Sequence, residues 1–77
     1  MDAVSAVREM LGASGLTAYA AARRAGRSHT YVSNVLGSGS VPTASKLATI
    51  AAACGYRLLL VPEGREDPEG AIPVDCD

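Results

Sequence analysis

This sequence is short of the residues that disulfide and metal chemistry require. Its 77 residues include two cysteines and one histidine. Cys54 and Cys76 form no CxxC pair, and two isolated cysteines with a single histidine cannot build an ordinary zinc site. Cys54 falls within a helical pattern, where a cysteine serves as a small core residue. No run approaches the ~20 apolar residues that span a bilayer. The N-terminus lacks the basic region and continuous apolar run of a secretory signal. A cytoplasmic protein with reduced thiols, and no contact with a membrane, is therefore expected.

Catalytic patterns are missing as well. The stretch "GSGS", Gly37 to Ser40, has no preceding strand and no following lysine, so it is not a phosphate-binding loop. Ser28 and His29 are adjacent rather than arranged as nucleophile and base, and no acid is placed to orient the imidazole. Neither an enzyme nor a bound cofactor is expected.

A chain of 77 residues holds one domain. A core of that size yields about 3–5 kcal/mol, and with no covalent staple, oligomerisation is the expected source of extra stability. The net charge of −1 conceals an asymmetry. Residues 1–61 carry six basic side chains against two acidic ones, whereas residues 62–77 carry one basic against six acidic. A basic folded part followed by an acidic tail fits a polyanion-binding surface held in check, and equally a charged tail that keeps the chain soluble.

The periodicity predicts four helices and one strand. Val4, Val7 and Leu11 form an i, i+3, i+7 stripe on a helix from Asp2 to about Leu11, with Asp2 as its cap and Gly12 and Gly15 at its end. Thr17 caps a second helix, Ala18 to Ala25, stopped by Gly26. Ser28 is expected to cap a third, His29 to about Leu36, whose inner face is Val32, Val35 and Leu36. Thr43 caps a fourth, Ala44 to Cys54, with Leu47, Ile50, Ala51 and Cys54 on one side. "YRLLLV", Tyr56 to Val61, has the apolar density and brevity of a strand. The domain so defined covers residues 1–61. Residues 62–77, acidic and broken by glycine and proline, read as a mostly disordered tail.

One constellation connects these elements. Ala22, Gly26, Val32 and Val35 are spaced as two helices meeting steeply through a short turn require. Close axes leave room for a methyl group at Ala22. The turn needs positive φ, which glycine adopts without steric cost. Val32 and Val35 then seat the third helix on the second.

The run from "GLTAYAAARRAG" through "RSHTYVSNVLGSG" to "VPTASKLATIAAACG", Gly15 to Gly55, resembles the helix-turn-helix of the Cro/cI-type (XRE) repressor family. With the first helix, the resemblance takes in about two thirds of the chain. The chain departs from the family pattern where "LGSG" ends the third helix. The resemblance implies a mainly α, lambda-repressor-like bundle of four to five helices, with one C-terminal β-strand pairing across a dimer.

It also implies that the third helix enters the DNA major groove with its early residues at base edges. The base-facing positions are then His29, Thr30 and Asn34. An asparagine amide matches adenine N6 and N7, an imidazole can meet a guanine edge, and a threonine offers a hydroxyl and a methyl. Tyr31 and Ser33 fall at the groove wall. Thr17, Arg27, Ser28, Ser38, Ser40 and Thr43 accompany the DNA backbone. Tyr56, Leu58, Leu59, Leu60 and Val61 form the dimerisation strand.

The expected function is a transcriptional autorepressor that binds palindromic double-stranded DNA as a homodimer. The alternative is a helix-turn-helix interaction module, an antitoxin or inhibitor that neutralises a toxin or other protein partner. The overall acidic balance favours that alternative.

Overall fold

The computed structural model describes residues 1–75. Cys76 lies outside them. Four α-helices form among the described residues: α1, Ala3–Ser14; α2, Ala18–Arg24; α3, Tyr31–Gly37; and α4, Ala44–Ala53.

Three helix starts are set by a side-chain oxygen three residues ahead of the backbone N–H it accepts from. Asp2 Oδ1 accepts from Ser5 N–H at 2.7 Å, Thr17 Oγ1 from Ala20 N–H at 3.1 Å and Thr43 Oγ1 from Lys46 N–H at 3.2 Å. In each case the capping residue has extended backbone, as a side-chain cap requires. The bond from Ser5 holds the Asp2 carboxyl below the usual carboxylate range. A depressed folded-state pKa means that this cap contributes at neutral pH and is lost only as acid protonates the carboxylate.

The third helix departs from expectation. It begins at Tyr31, not His29, and Ser28 is not its cap. Thr30 holds the cap position with φ −95° and ψ −1°, close to helical, and its hydroxyl accepts no capping bond. Instead Tyr31 N–H donates to the Ser28 carbonyl at 3.0 Å, so residues 28–31 make a turn that leads into the helix. The first helix departs in the other direction. It runs through Gly12 to Ser14 and ends at Gly15, whose φ of 70° lets its N–H turn back to Leu11 and Gly12.

The α2–α3 contact is the most extensive between any two helices; α1 rests on α3 and α4, and α4 also packs on α2. The core cluster combines Ala3, Val7, Met10 and Leu11 of α1 with Ala21 and Ala22 of α2, Val32 and Val35 of α3, and Leu47, Ile50 and Ala51 of α4. Cys54 joins it as a buried free thiol at the end of α4. Val4 is half-buried and outside the cluster, so the inward stripe of α1 is Ala3, Val7, Met10 and Leu11. Leu36 is partly buried against the core rather than within it.

Ala22 is fully buried where α2 meets α3, so a methyl group fills its space. At the junction, Gly26 has φ 70°, and Arg27 N–H donates back to the Ala22 carbonyl at 3.1 Å. A Cβ placed on Gly26 would meet no atom within 4 Å. The cost of Gly26→Ala is therefore backbone strain alone, about 1–2 kcal/mol. Thermal melting should show a loss of about 4–16 °C, given roughly 4–8 °C per kcal/mol for a domain of this size. An unchanged melting temperature would mean that the junction does not need its left-handed residue.

The expected strand does not form within the single chain. Residues 56–61 have no regular secondary structure, and no strand occurs among the described residues. A lone strand has no ladder to join. Tyr56 is partly buried against its own helical core, while Leu58, Leu59, Leu60 and Val61 are exposed. Farther on, Ile72 also packs on the core. Asp75 then meets the chain's first residue: its N–H donates to the Met1 carbonyl at 2.8 Å, and its carboxylate lies 2.7 Å from the Met1 ammonium.

Candidate nucleic-acid interface

Between Glu9 and Glu63 the chain has no acidic side chain, yet it carries Arg23, Arg24, Arg27, Lys46 and Arg57. That interval contains α2, α3 and α4. The basic residues come in local groups for sequence reasons. Arg23 and Arg24 fill the last turn of α2, where cations complement the helix dipole. Arg27 follows at the junction, and Lys46 lies in the first turn of α4. All four are exposed.

An open concavity of about 250 Å³ lies between α3 and the start of α4, with Lys46 on its wall. Ser28, Tyr31, Asn34, Ser38, Ser40 and Thr43 meet there with Lys46. Six expected contact positions, spread over the chain from the α2–α3 junction to the start of α4, thus share one surface. Val35 and Pro42 form part of its apolar floor.

Apart from the capping threonines, the polar groups on and around this surface are only lightly committed. Asn34 Nδ2 reaches Thr30 Oγ1 at 3.5 Å, the long limit for a hydrogen bond, so the amide is free to take another partner. Ser33 Oγ donates to the Thr30 carbonyl at 3.1 Å and Ser38 Oγ to the Val35 carbonyl at 3.5 Å. Each hydroxyl folds back on its own helix and keeps acceptor capacity. Ser40 N–H donates to Ser38 Oγ at 3.2 Å, which shapes the turn after α3. Thr17 and Thr43 are engaged as caps.

Four of the expected contact residues lie outside the concavity but near it. Thr30 and Ser33 are exposed at the start of α3. Arg27 places its guanidinium 5.7 Å from the Tyr31 ring centroid, a cation–π distance that ties the junction to the first residue of α3. His29 is exposed and pairs with the Tyr19 ring. Thr17 sits apart, at the start of α2.

Tyr19 is the residue the sequence reading passed over. It is exposed on α2, and Arg23 one turn later lies 5.9 Å from its ring centroid. The i, i+4 spacing of Tyr19 and Arg23 was available in the sequence as a signal. Its approach to His29 was not.

Among the described residues, no group of three or more His, Cys, Asp and Glu is placed to hold a metal ion. No helix there is long and apolar enough to cross a membrane. Comparison with known proteins finds no matching family model, no similar curated protein and no similar solved structure.

Proposed function

We propose that this chain is a sequence-specific double-stranded DNA-binding repressor, with α2 and α3 as its helix-turn-helix and α3 as the groove-reading helix. The single observation carrying this reading is the concavity, lined by no acidic side chain, on which Asn34, Tyr31, Ser38, Ser40, Thr43 and Lys46 converge. Such a surface offers cations and hydroxyls to phosphates and an amide to a base edge. His29, Thr30 and Asn34 take the base-edge roles, and Arg27, Ser28 and Thr43 the backbone roles.

The protein acts as a homodimer on a palindromic operator, in a lambda-repressor-like arrangement. Four consecutive apolar residues, Leu58 to Val61, are exposed on the single chain. Pairing with the same segment of a second copy, antiparallel about a two-fold axis, covers them and satisfies their backbone groups. Two α3 helices then stand about one DNA turn apart, roughly 34 Å. With its own promoter as the operator, repression is by occupancy.

A bidentate asparagine–adenine contact is worth about 1–3 kcal/mol of discrimination. Asn34→Ala should weaken operator binding by that amount and leave the melting temperature nearly unchanged, since the side chain is exposed. Arg27→Ala should weaken all duplexes alike and flatten the salt dependence. Fluorescence anisotropy across a salt series separates the two. If Asn34→Ala binds the operator as tightly as wild type, the base-contact role is wrong.

The exposed apolar segment also favours a second reading, a module that captures and neutralises a protein partner through Leu58 to Val61. A gel shift with the protein's own upstream DNA at moderate salt decides between them. A discrete shifted band that survives competitor DNA supports the repressor, and its absence supports the partner-binding module.

A further inference from the structure

His29 precedes α3, inside the turn that the Tyr31 N–H to Ser28 carbonyl bond closes, so the helix itself does not set its orientation. What stands beside it comes from another element. The Tyr19 ring of α2 lies 5.9 Å from the imidazole, centroid to centroid, with the planes inclined at 42°. That is within the range of a favourable aromatic pair. Tyr19 is steadied in turn from the side of Arg23. The guanidinium carbon lies 5.9 Å from the ring centroid, and Arg23 Nη1 donates to the Tyr19 hydroxyl at 3.3 Å. Arg23, Tyr19 and His29 thus form a row that runs from α2 across the junction to the threshold of α3.

All three side chains are exposed. An exposed tyrosine and histidine contribute little to a core, and the cluster of buried residues that holds the helices together contains none of the three. The row therefore constrains a side chain more than it supports the fold. A free imidazole at a turn samples several rotamers, and ordering it on contact with DNA would cost binding free energy. A ring already set against the tilted face of a neighbouring ring has lost part of that freedom.

We propose that Tyr19 is a positioning residue that sets which base His29 reads, a role that presupposes the DNA-binding function above. Tyr19 touches no base itself. It holds the imidazole in one orientation at the groove, with a ring nitrogen directed to a purine acceptor, the N7 or O6 edge of guanine. Specificity at one base pair is thereby decided on α2, although the side chain that makes the contact lies beside α3.

The test is selection from a randomised duplex pool by wild type, Tyr19→Ala, Tyr19→Phe and His29→Ala, followed by binding to the selected site and to its single-base variants. Tyr19→Ala should lose about tenfold of the preference at one base pair, the same pair that His29→Ala affects. Preferences elsewhere and the slope of affinity against salt should hold. Tyr19→Phe should retain the preference, because it keeps the ring and loses only the hydroxyl that Arg23 reaches. The Tyr19→Ala, His29→Ala double variant should be no worse than His29→Ala, since two residues acting as a unit are not additive. An exposed site makes each variant foldable, and melting curves verify it.

Tyr19→Ala selecting the wild-type motif at full strength would overturn the positioning role and leave the DNA-binding function standing. A uniform loss at every base pair, or a changed salt slope, would also overturn it by making Tyr19 a general contact. Wild type selecting no motif would sink the DNA-binding function, and the positioning role with it.

Discussion

Replacing Leu58 and Leu60 together with Asp, or Leu59 and Val61 together with Asp, will yield a monomer in at least one of the two cases, with operator binding lost. The four residues are exposed on the isolated chain, Leu60 at 93% of its full surface. Paired with a second copy, alternate side chains along the segment face opposite sides, one toward the helices and the other toward the partner. A carboxylate buried at a two-fold axis meets its own symmetry mate, so two like charges are desolvated together. Separating the two reading heads then removes the gain from binding both half-sites at once, about 100-fold or more in apparent affinity. Sedimentation at micromolar concentration measures the first effect, and anisotropy with a two-half-site duplex measures the second. A monomeric wild type, or two double variants that both remain dimers, would overturn the paired segment.

Ile50→Ala should unfold most of the protein. Ile50 is one of the largest fully buried side chains and sits on α4, the helix that packs on both α1 and α2. Removing three carbons from such a site costs about 2–5 kcal/mol. The whole core of a domain this small supplies about 3–5 kcal/mol. The two figures are comparable, so the variant is expected to be largely unfolded or to melt at least ~8 °C below wild type. Ile50→Val removes one carbon, costs about 0.5–1.5 kcal/mol and should keep the fold. Circular dichroism at fixed, low protein concentration is the appropriate measurement, because dimerisation adds to apparent stability by mass action. A melting temperature for Ile50→Ala close to that of wild type would mean that α4 is not tightly packed around this residue.

Both results depend on parts of the molecule that were unequally legible in the sequence. The starts of α1, α2 and α4 could be read because the decisive interaction is local. An Asp or Thr oxygen reaches an N–H three residues away, and nothing distant is needed. The start of α3 could not, because Ser28 and Thr30 are both of the capping type and the turn through residues 28–31 decides between a cap and no cap. For α1, the expected stripe of Val4, Val7 and Leu11 was right at Val7 and Leu11, whereas the packing of α3 and α4 on this helix turns Ala3 and Met10 inward in place of Val4. The apolar run Leu58 to Val61 was equally visible, but whether it forms a strand depends on a partner outside the chain.

For the candidate site, composition alone determined the chemistry: arginines, hydroxyls and one asparagine across an interval free of acids. It also determined the alanine and glycine at the α2–α3 junction, because a close helix contact and a left-handed turn each admit few residue types. Only the tertiary structure decided which polar groups meet. Asn34 and Thr43 share a concavity because the chain turns after α3 and brings the start of α4 to the same surface. Tyr19 reaches His29 because α2 and α3 pack closely across the Gly26 turn. Local patterns fix caps and turns through bonds a few residues long, whereas contacts between side chains far apart in sequence exist only once the helices have buried their shared face.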